Sequence, residues 1–497
     1  MEEFILSNTN ETMIQLFEWY IEPNCSHWKK ISNEAAYLSN IGITYAWLPP
    51  AYKGSGGIYD TGYGVYDLYD LGEFDQKGTI KTKYGSKEEY IQAIKILKGN
   101  GIKVLADIVF NHRLGADEPE EVIAVEYESH DRTISKGEPH VIKAWTKFNF
   151  PGRNNCYSDF KWNWTHFHGV DWDEIEQKNS IFCFYGRHWD TLVDKENGNF
   201  DYLMGCDVDL NNVDVVEELI KWAKWYLAET NVDGFRMDAV KHIRSSFFDD
   251  WLKALKQDAS KDLFSVGEYW SYNIDALKNY ISETSNMISL FDVPLHYNFH
   301  NACYSNGTYD MRTIFDNSLV KEMPSMAVTF VDNHDTQLGQ SLESWISDWF
   351  KPLAYSLILL RKDGLPCVFY GDLYGIPSEN VEDKKSMLEP LLKARKHFAY
   401  GTQIDYFDHP NIIGWVREGD IEHPDSGMAV LVTNGDGGNK IMNVGKRLAN
   451  STFYDCTGNV KEPVYVDSEG NGIFYVNGGS VSVWIKHDNM YNSDVKV

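Results

Sequence analysis

Eight short apolar segments alternate with helical patterns between Met13 and Tyr370, and no feature of the chain restricts its fold more. They are Met13 to Phe17, Ile43 to Leu48, Lys103 to Phe110, Val232 to Met237, Leu263 to Gly267, Met287 to Phe291, Ala327 to Val331 and Leu365 to Tyr370. Brief, nearly continuous apolar runs are what parallel strands look like when helices cover both faces of their sheet. Lys87 to Leu97 carries Tyr90, Ile91, Ile94 and Leu97 on one helical face, closes at Gly99 and Gly101, and runs into the third segment. Phe248, Trp251, Leu252 and Leu255 form a similar stripe between the fourth and fifth. Eight strands joined by crossover helices predict an α/β fold, a (β/α)8 TIM barrel, over residues 1–111 and 212–400. The stretch between the third and fourth strands is far longer than an ordinary connection, so residues 112–211 are expected to form an inserted domain. From residue 401 to 497 short alternating segments are punctuated by Asn434-Gly435, Gly437-Gly438, Thr457-Gly458, Asn471-Gly472 and Gly478-Gly479, which predicts an antiparallel all-β C-terminal domain.

With 497 residues, 43% of them hydrophobic, the chain can fill two or three cores. A formal charge of -27 repels nucleic acid and anionic lipid, and neutral substrates fit it well. No apolar run approaches membrane-spanning length, and Met1-Glu2-Glu3-Phe4 does not open a secretory signal. Seven scattered cysteines without a Cys-x-x-Cys pair read as reduced thiols, which favours the cytoplasm. Cys183 and Cys206 are the pair to watch, since both fall in the insert. A monomer is expected.

Candidate chemistry sits where the predicted strands end, because barrel enzymes carry their working residues at the C-terminal ends of strands. In Gly234-Phe-Arg-Met-Asp-Ala-Val-Lys-His242, Arg236 and Asp238 have a strand's same-face spacing, so the cation can hold an ionised carboxylate beside it. Taken alone, that pattern is better read as a structural ion pair. Glu268 closes the fifth strand and Asp335 follows the seventh. Acids converging in one pocket raise each other's proton affinity, so one stays protonated while an arginine keeps another ionised. Glycosidases need that division between proton donor and carboxylate.

Four stretches, Asp107-Ile-Val-Phe-Asn111-His112, Gly234 to His242, Glu268-Tyr-Trp270 and Phe330-Val-Asp-Asn-His334-Asp335, resemble in order the four sequence regions of the α-amylase family of glycoside hydrolases. Gly42 to Pro50, Tyr63 to Leu71, Leu203 to Asp209, Phe291 to His296 and Gly364 to Asp372 are similar to further family regions and to the liquefying bacterial type. The resemblance implies endo-acting, retaining hydrolysis of α-1,4-glucosidic bonds in starch, glycogen or maltodextrins. Asp238 would be the nucleophile, Glu268 the general acid/base and Asp335 the carboxylate that stabilises the transition state. Tyr63, His112, Arg236 and His334 would line the cleavage position, and Lys241, His242 and Trp270 would contact neighbouring glucose units.

The same resemblance implies calcium, held by Asn111, Asp201, Asp207 and the backbone carbonyl of His242, with a weaker second cation, calcium or sodium, near Asp190 and Asp209. Two positions depart from the family pattern: His168 stands in His166-Phe-His-Gly where the pattern has Asp, and Asn211 stands for another Asp. Each change removes a negative charge and should weaken the outer positions. A further family site between barrel and C-terminal domain should be lost, since Pro410, Asn411 and Asn434 replace its ligands. Three other readings remain open at this stage: an α-glucan transglycosylase on the same scaffold, a non-catalytic glycan-binding relative, and a metal-dependent barrel lyase.

Overall fold

The computed structural model describes residues 10–258 and 262–486. All eight expected strands are present: β1 Met13–Gln15, β2 Tyr45–Leu48, β3 Lys103–Ile108, β4 Gly234–Met237, β5 Phe264–Gly267, β6 Ser289–Phe291, β7 Ala327–Phe330 and β8 Leu365–Phe369. They pair in parallel in chain order, and β8 closes on β1. All are a residue or two shorter than the apolar runs, because the chain is buried before it enters the sheet, as at Val232 and Ile288, or after it has left, as at Leu16 and Phe17.

Strand alternation sorts side chains between two cores. Met13, Tyr45, Trp47, Leu105, Val266, Phe291, Val328, Phe330 and Cys367 fill the barrel interior. Ile14, Ala46, Leu48, Val104, Ala106, Phe235 and Met237 pack with the residues of the surrounding helices, which include His27–Asn40, Lys87–Gly99 and Ser245–Asp258. The helix over Lys87–Gly99 starts on a capping box between Ser86 and Glu89, which satisfies donors that a helix start leaves free. On β4 the alternation turns Arg236 inward between Phe235 and Met237, and the register sets Arg236 beside Asp107 of β3 and Val266 of β5.

Between β3 and β4 the chain builds a six-stranded antiparallel sheet. Its first and last strands, His112–Arg113 and Cys206–Val208, pair with each other and bring the two ends of the excursion together. That pairing sets Asn111 against Asp207: the Val208 N–H donates to the Asn111 carbonyl at 3.0 Å. After the barrel, a second six-stranded sheet and the hairpin-like pair Gly438–Asn443 and Asn471–Val476 enclose a core that includes Val416, Leu431, Met442, Phe453, Phe474 and Trp484. Two of the expected turn signals fall elsewhere. Gly438 opens a strand, and Asn471-Gly472 lies inside one, with Asn471 opposite Asn443. The turn comes one residue earlier, where Gly470 adopts a φ of +90° that favours glycine.

All seven cysteines are free. Cys183 and Cys206 are both buried and engage different backbone oxygens, Cys206 Sγ reaching that of Trp145 at 3.1 Å and Cys183 Sγ that of Arg187 at 3.5 Å. Burial pushes the Cys183 thiol up to about 12, so it is inert at neutral pH. Thiol titration of the denatured, unreduced protein should find seven groups, and five would reveal a bridge.

Candidate active site

The C-terminal ends of the barrel strands open into a cleft of about 960 Å³. Tyr63, His112, Asp238, Lys241, His242, Glu268, Trp270, His334 and Asp335 all line it, so every residue expected to meet substrate is there except one. The exception is Arg236, which has no exposed surface and lies under the cleft floor.

Arg236 organises that floor. Its Nη1 donates to Asp238 Oδ1 at 2.7 Å and to the two Asp107 oxygens at 3.0 and 3.2 Å, while Nη2 donates to Glu268 Oε2 at 2.9 Å. Trp47 Nε1 and the Tyr63 hydroxyl also donate to Asp107, at 2.9 and 2.7 Å. One guanidinium thus fixes three carboxylates contributed by β3, β4 and β5. A buried cation of this kind is stable only when its charge is matched; here three carboxylates match it, while Nε has no hydrogen-bond partner.

Burial and neighbouring charge raise two of the acids. Burial, together with the charges of Asp238 and Asp335, pushes the Glu268 carboxyl well above the ordinary carboxylate range against the pull of Arg236. Burial and the charges of Asp238 and Asp107 push Asp335 up to about 7, and a hydrogen bond with Glu268 works in the opposite direction. The histidines around them are neutral, because burial lowers His112, takes His242 to about 3 and holds His334 well below its usual value. His112 Nε2 lies 2.9 Å from the Tyr63 carbonyl, and His334 Nε2 lies 3.4 Å from Asp335 Oδ2.

Several residues of the site carried no signal in the sequence. Trp19, past the end of β1, stacks on Tyr63 with ring centroids 5.8 Å apart and planes 6° from parallel, and Tyr63 stacks on His334 at 5.0 Å and 9°. Glu196 of the insert pairs with Lys241, and Asp194 accepts from the Tyr269 hydroxyl at 2.6 Å. Trp19 could have been found by inspecting the loop after every strand; the insert contacts depend on how a long excursion folds back.

Of the expected metal ligands, Asp201 and Asp207 come together, with the His168 ring beside them. Asn111, Asp201 and Asp207 are buried at 2%, 5% and 1% exposure, and the Asn111 side-chain nitrogen has no hydrogen-bond partner. Burial and the adjoining Asp201 charge push Asp207 up to about 8, against the pull of the neighbouring His168 ring. The His242 ring donates to the carbonyl of Phe200, next to Asp201, at 2.6 Å. Hard oxygen donors around two neighbouring buried carboxylates suit a calcium ion.

Around them the chain supplies partners of its own. His168 lies 3.0 Å from both Asp201 and Asp207 through Nδ1 and 3.2 Å from Asp209 through Nε2. Arg187 bonds Asp209 at 2.9 Å, and Arg244 grips Asp190 at 2.6 and 3.1 Å. The outer carboxylates, and Asp201 and Asp207 with them, therefore face cationic or hydrogen-bonding groups of the chain itself. At the barrel and C-terminal junction, Asn411 donates to Asn434 and to the Gly307 carbonyl at 2.8 and 2.7 Å, and Asn434 donates to the Tyr309 carbonyl at 2.9 Å. Amide hydrogen bonds stitch the place where the family pattern calls for ligands.

Comparison with known proteins agrees with this geometry. The family model for the α-amylase catalytic domain matches residues 4–399, and that for the α-amylase C-terminal domain matches residues 428–485. The chain is 56% identical over 478 residues to an α-amylase of Geobacillus stearothermophilus, covering 96% of this chain and 87% of the relative. It is 45% identical over 490 residues to the cytoplasmic α-amylase of Escherichia coli (strain K12), covering 96% and 99%. Among solved structures, the α-amylase of Geobacillus thermoleovorans in complex with acarbose superposes with a TM-score of 0.63 at 18% identity, covering 97% of this chain and 98% of that one, a likeness in fold.

Proposed function

The chain belongs to the α-amylase family of glycoside hydrolases, and on that basis we propose that it cuts internal α-1,4-glucosidic bonds of starch, glycogen or maltodextrins with retention of configuration. The observation that carries this reading is the Arg236 guanidinium joined to both Asp238 and Glu268 beneath an open cleft. Glu268, kept protonated by burial and neighbouring charge, delivers its proton to the glycosidic oxygen as that bond breaks. Asp238 attacks the anomeric carbon and forms a glycosyl ester. Water then adds to that carbon, Glu268 takes its proton, and Asp238 is released. Asp335 stabilises the positive charge that develops on the sugar in both steps. Tyr63 supplies a ring face for the sugar being cleaved, the neutral His112 and His334 bond its hydroxyls, and Lys241, His242 and Trp270 serve the neighbouring units.

We read the chain as three domains, the barrel over 1–111 and 212–400, the insert over 112–211 and the C-terminal domain over 401–497. The cytoplasmic placement is supported by the naming of the Escherichia coli relative. Among the described residues no helix is long and apolar enough to cross a membrane. A time course on a long soluble α-glucan tests the activity. Rapid loss of chain length with short oligomers as products is expected, whereas accumulation of glucans longer than the substrate would show transfer in place of hydrolysis.

Calcium fits between Asn111, Asp201, Asp207 and the His242 carbonyl, where it would tie the insert to the barrel end next to the cleft. Its contribution there is structural, since bound metal stabilises the folded chain by mass action. The engagement of Asp190 by Arg244, and of Asp209 by Arg187 and His168, argues against a second cation, and because His168 also reaches Asp201 and Asp207, a calcium held there would have to share those carboxylates with its ring or displace it. After dialysis against a mild chelator the protein should retain about one calcium per chain, the affinity following the count of charged ligands. Retention of three would contradict this, and Asp207→Asn should lower the thermal unfolding temperature.

A further inference from the structure

The segment that carries Glu268 out of β5 continues through Tyr269 to Asn273 before the helix Ile274–Glu283 begins. It is tied down along its length. The Tyr269 hydroxyl bonds Asp194 at 2.6 Å, and Lys241 Nζ donates to the Trp270 carbonyl at 3.1 Å. Asn273 N–H donates to Ser271 Oγ at 3.1 Å, and the Asn273 side chain caps the helix by accepting from the Asp275 and Ala276 N–H groups. On this fixed segment Tyr272 lines the cleft with 77% of its surface exposed. Its one ring neighbour among the described residues is Tyr297, perpendicular at 90° with centroids 6.1 Å apart, and Tyr297 is in turn held by Trp270 Nε1 at 3.2 Å.

A single exposed aromatic ring needs no explanation on an ordinary surface. Tyr272 differs because it projects inside a substrate cleft from a segment whose backbone is already immobilised, so little entropy remains to be lost when a ligand covers it. A flat ring with a polar tip suits the C–H face of a hexose and one of its hydroxyls. A proton donor must reach the oxygen between two sugars, so the wall that leads away from Glu268 through Trp270 and Lys241 belongs to the leaving-group side. Resting on the activity read above, we propose that Tyr272 is a stacking platform for a glucose unit of the leaving-group strand, beyond Trp270, and that it biases where a long α-glucan is cut.

The test uses linear maltooligosaccharides labelled at the reducing end, with the full-length protein and its Tyr272→Ala, Tyr272→Phe and Tyr272→Trp variants. Tyr272→Ala should raise KM for long oligosaccharides about threefold to tenfold, the worth of one aromatic contact, with a smaller change in kcat. Its cuts should move toward the labelled end, because fewer units are held on the leaving side. The Phe and Trp variants, which keep a ring, should keep the original pattern. An unchanged cleavage pattern and KM in Tyr272→Ala would overturn the proposal while leaving the activity intact. Failure of the unmodified protein to cut any α-glucan would instead overturn the reading of the site, and this proposal with it.

Discussion

Glu268→Gln should lower kcat by about a hundredfold to ten-thousandfold, the range attached to losing a general acid, while maltooligosaccharide binding survives. The amide keeps the shape of the carboxyl and still meets Arg236 Nη2, which lies 2.9 Å from Glu268 Oε2. It cannot release a proton to the leaving oxygen or take one from water. Equilibrium binding by calorimetry alongside single-turnover hydrolysis separates the two effects, and a variant that kept half its activity would remove Glu268 from the role. The pH profile has a sign that follows from the same environment. Burial and two neighbouring acids raise the folded-state pKa of Glu268, so the protonated form needed for the first step persists above the ordinary carboxylate range and is lost as pH rises through that raised value. The alkaline limb of kcat/KM should therefore lie well above the range of an exposed glutamate.

Arg236→Met should produce the largest loss of stability of any single change at the site. Methionine fills much of the same volume but leaves Asp107, Asp238 and Glu268 together in a buried pocket without their shared cation. Removing one partner from a buried, hydrogen-bonded charge network costs about 3 to 5 kcal/mol. Denaturant midpoints should fall accordingly, and hydrolysis should fall with them because both reacting carboxyls lose their anchor. A variant as stable as the parent would show that the three acids are satisfied by other means, as Trp47 and Tyr63 already donate to Asp107 and the Ala239 N–H to Glu268.

The barrel was legible because its strands are buried on both faces, which leaves compact apolar runs in the sequence at each of the eight positions. The pairing of Arg236 with Asp238 was legible for a related reason, since residues two apart on a strand share a face. The bonds from Arg236 to Asp107 and Glu268 were not, because they require β3, β4 and β5 to lie side by side in a particular register. Family motifs placed those residues in one site before any geometry did. The strands of the insert left little trace, since antiparallel pairs such as Ile123 with Val141 put one apolar side chain of each strand into solvent. The role of His168 shows the limit of counting ligands. Sequence marks it as a lost carboxylate, but only the folded insert shows its ring reaching Asp201, Asp207 and Asp209.

Asp238 attacks from one face of the sugar while Glu268 serves the other, so two displacements restore the starting configuration. Proton NMR of the first reducing ends released from a maltooligosaccharide, recorded before mutarotation sets in, measures this directly. The account predicts the α-anomer at the earliest time points, and release of the β-anomer would contradict it.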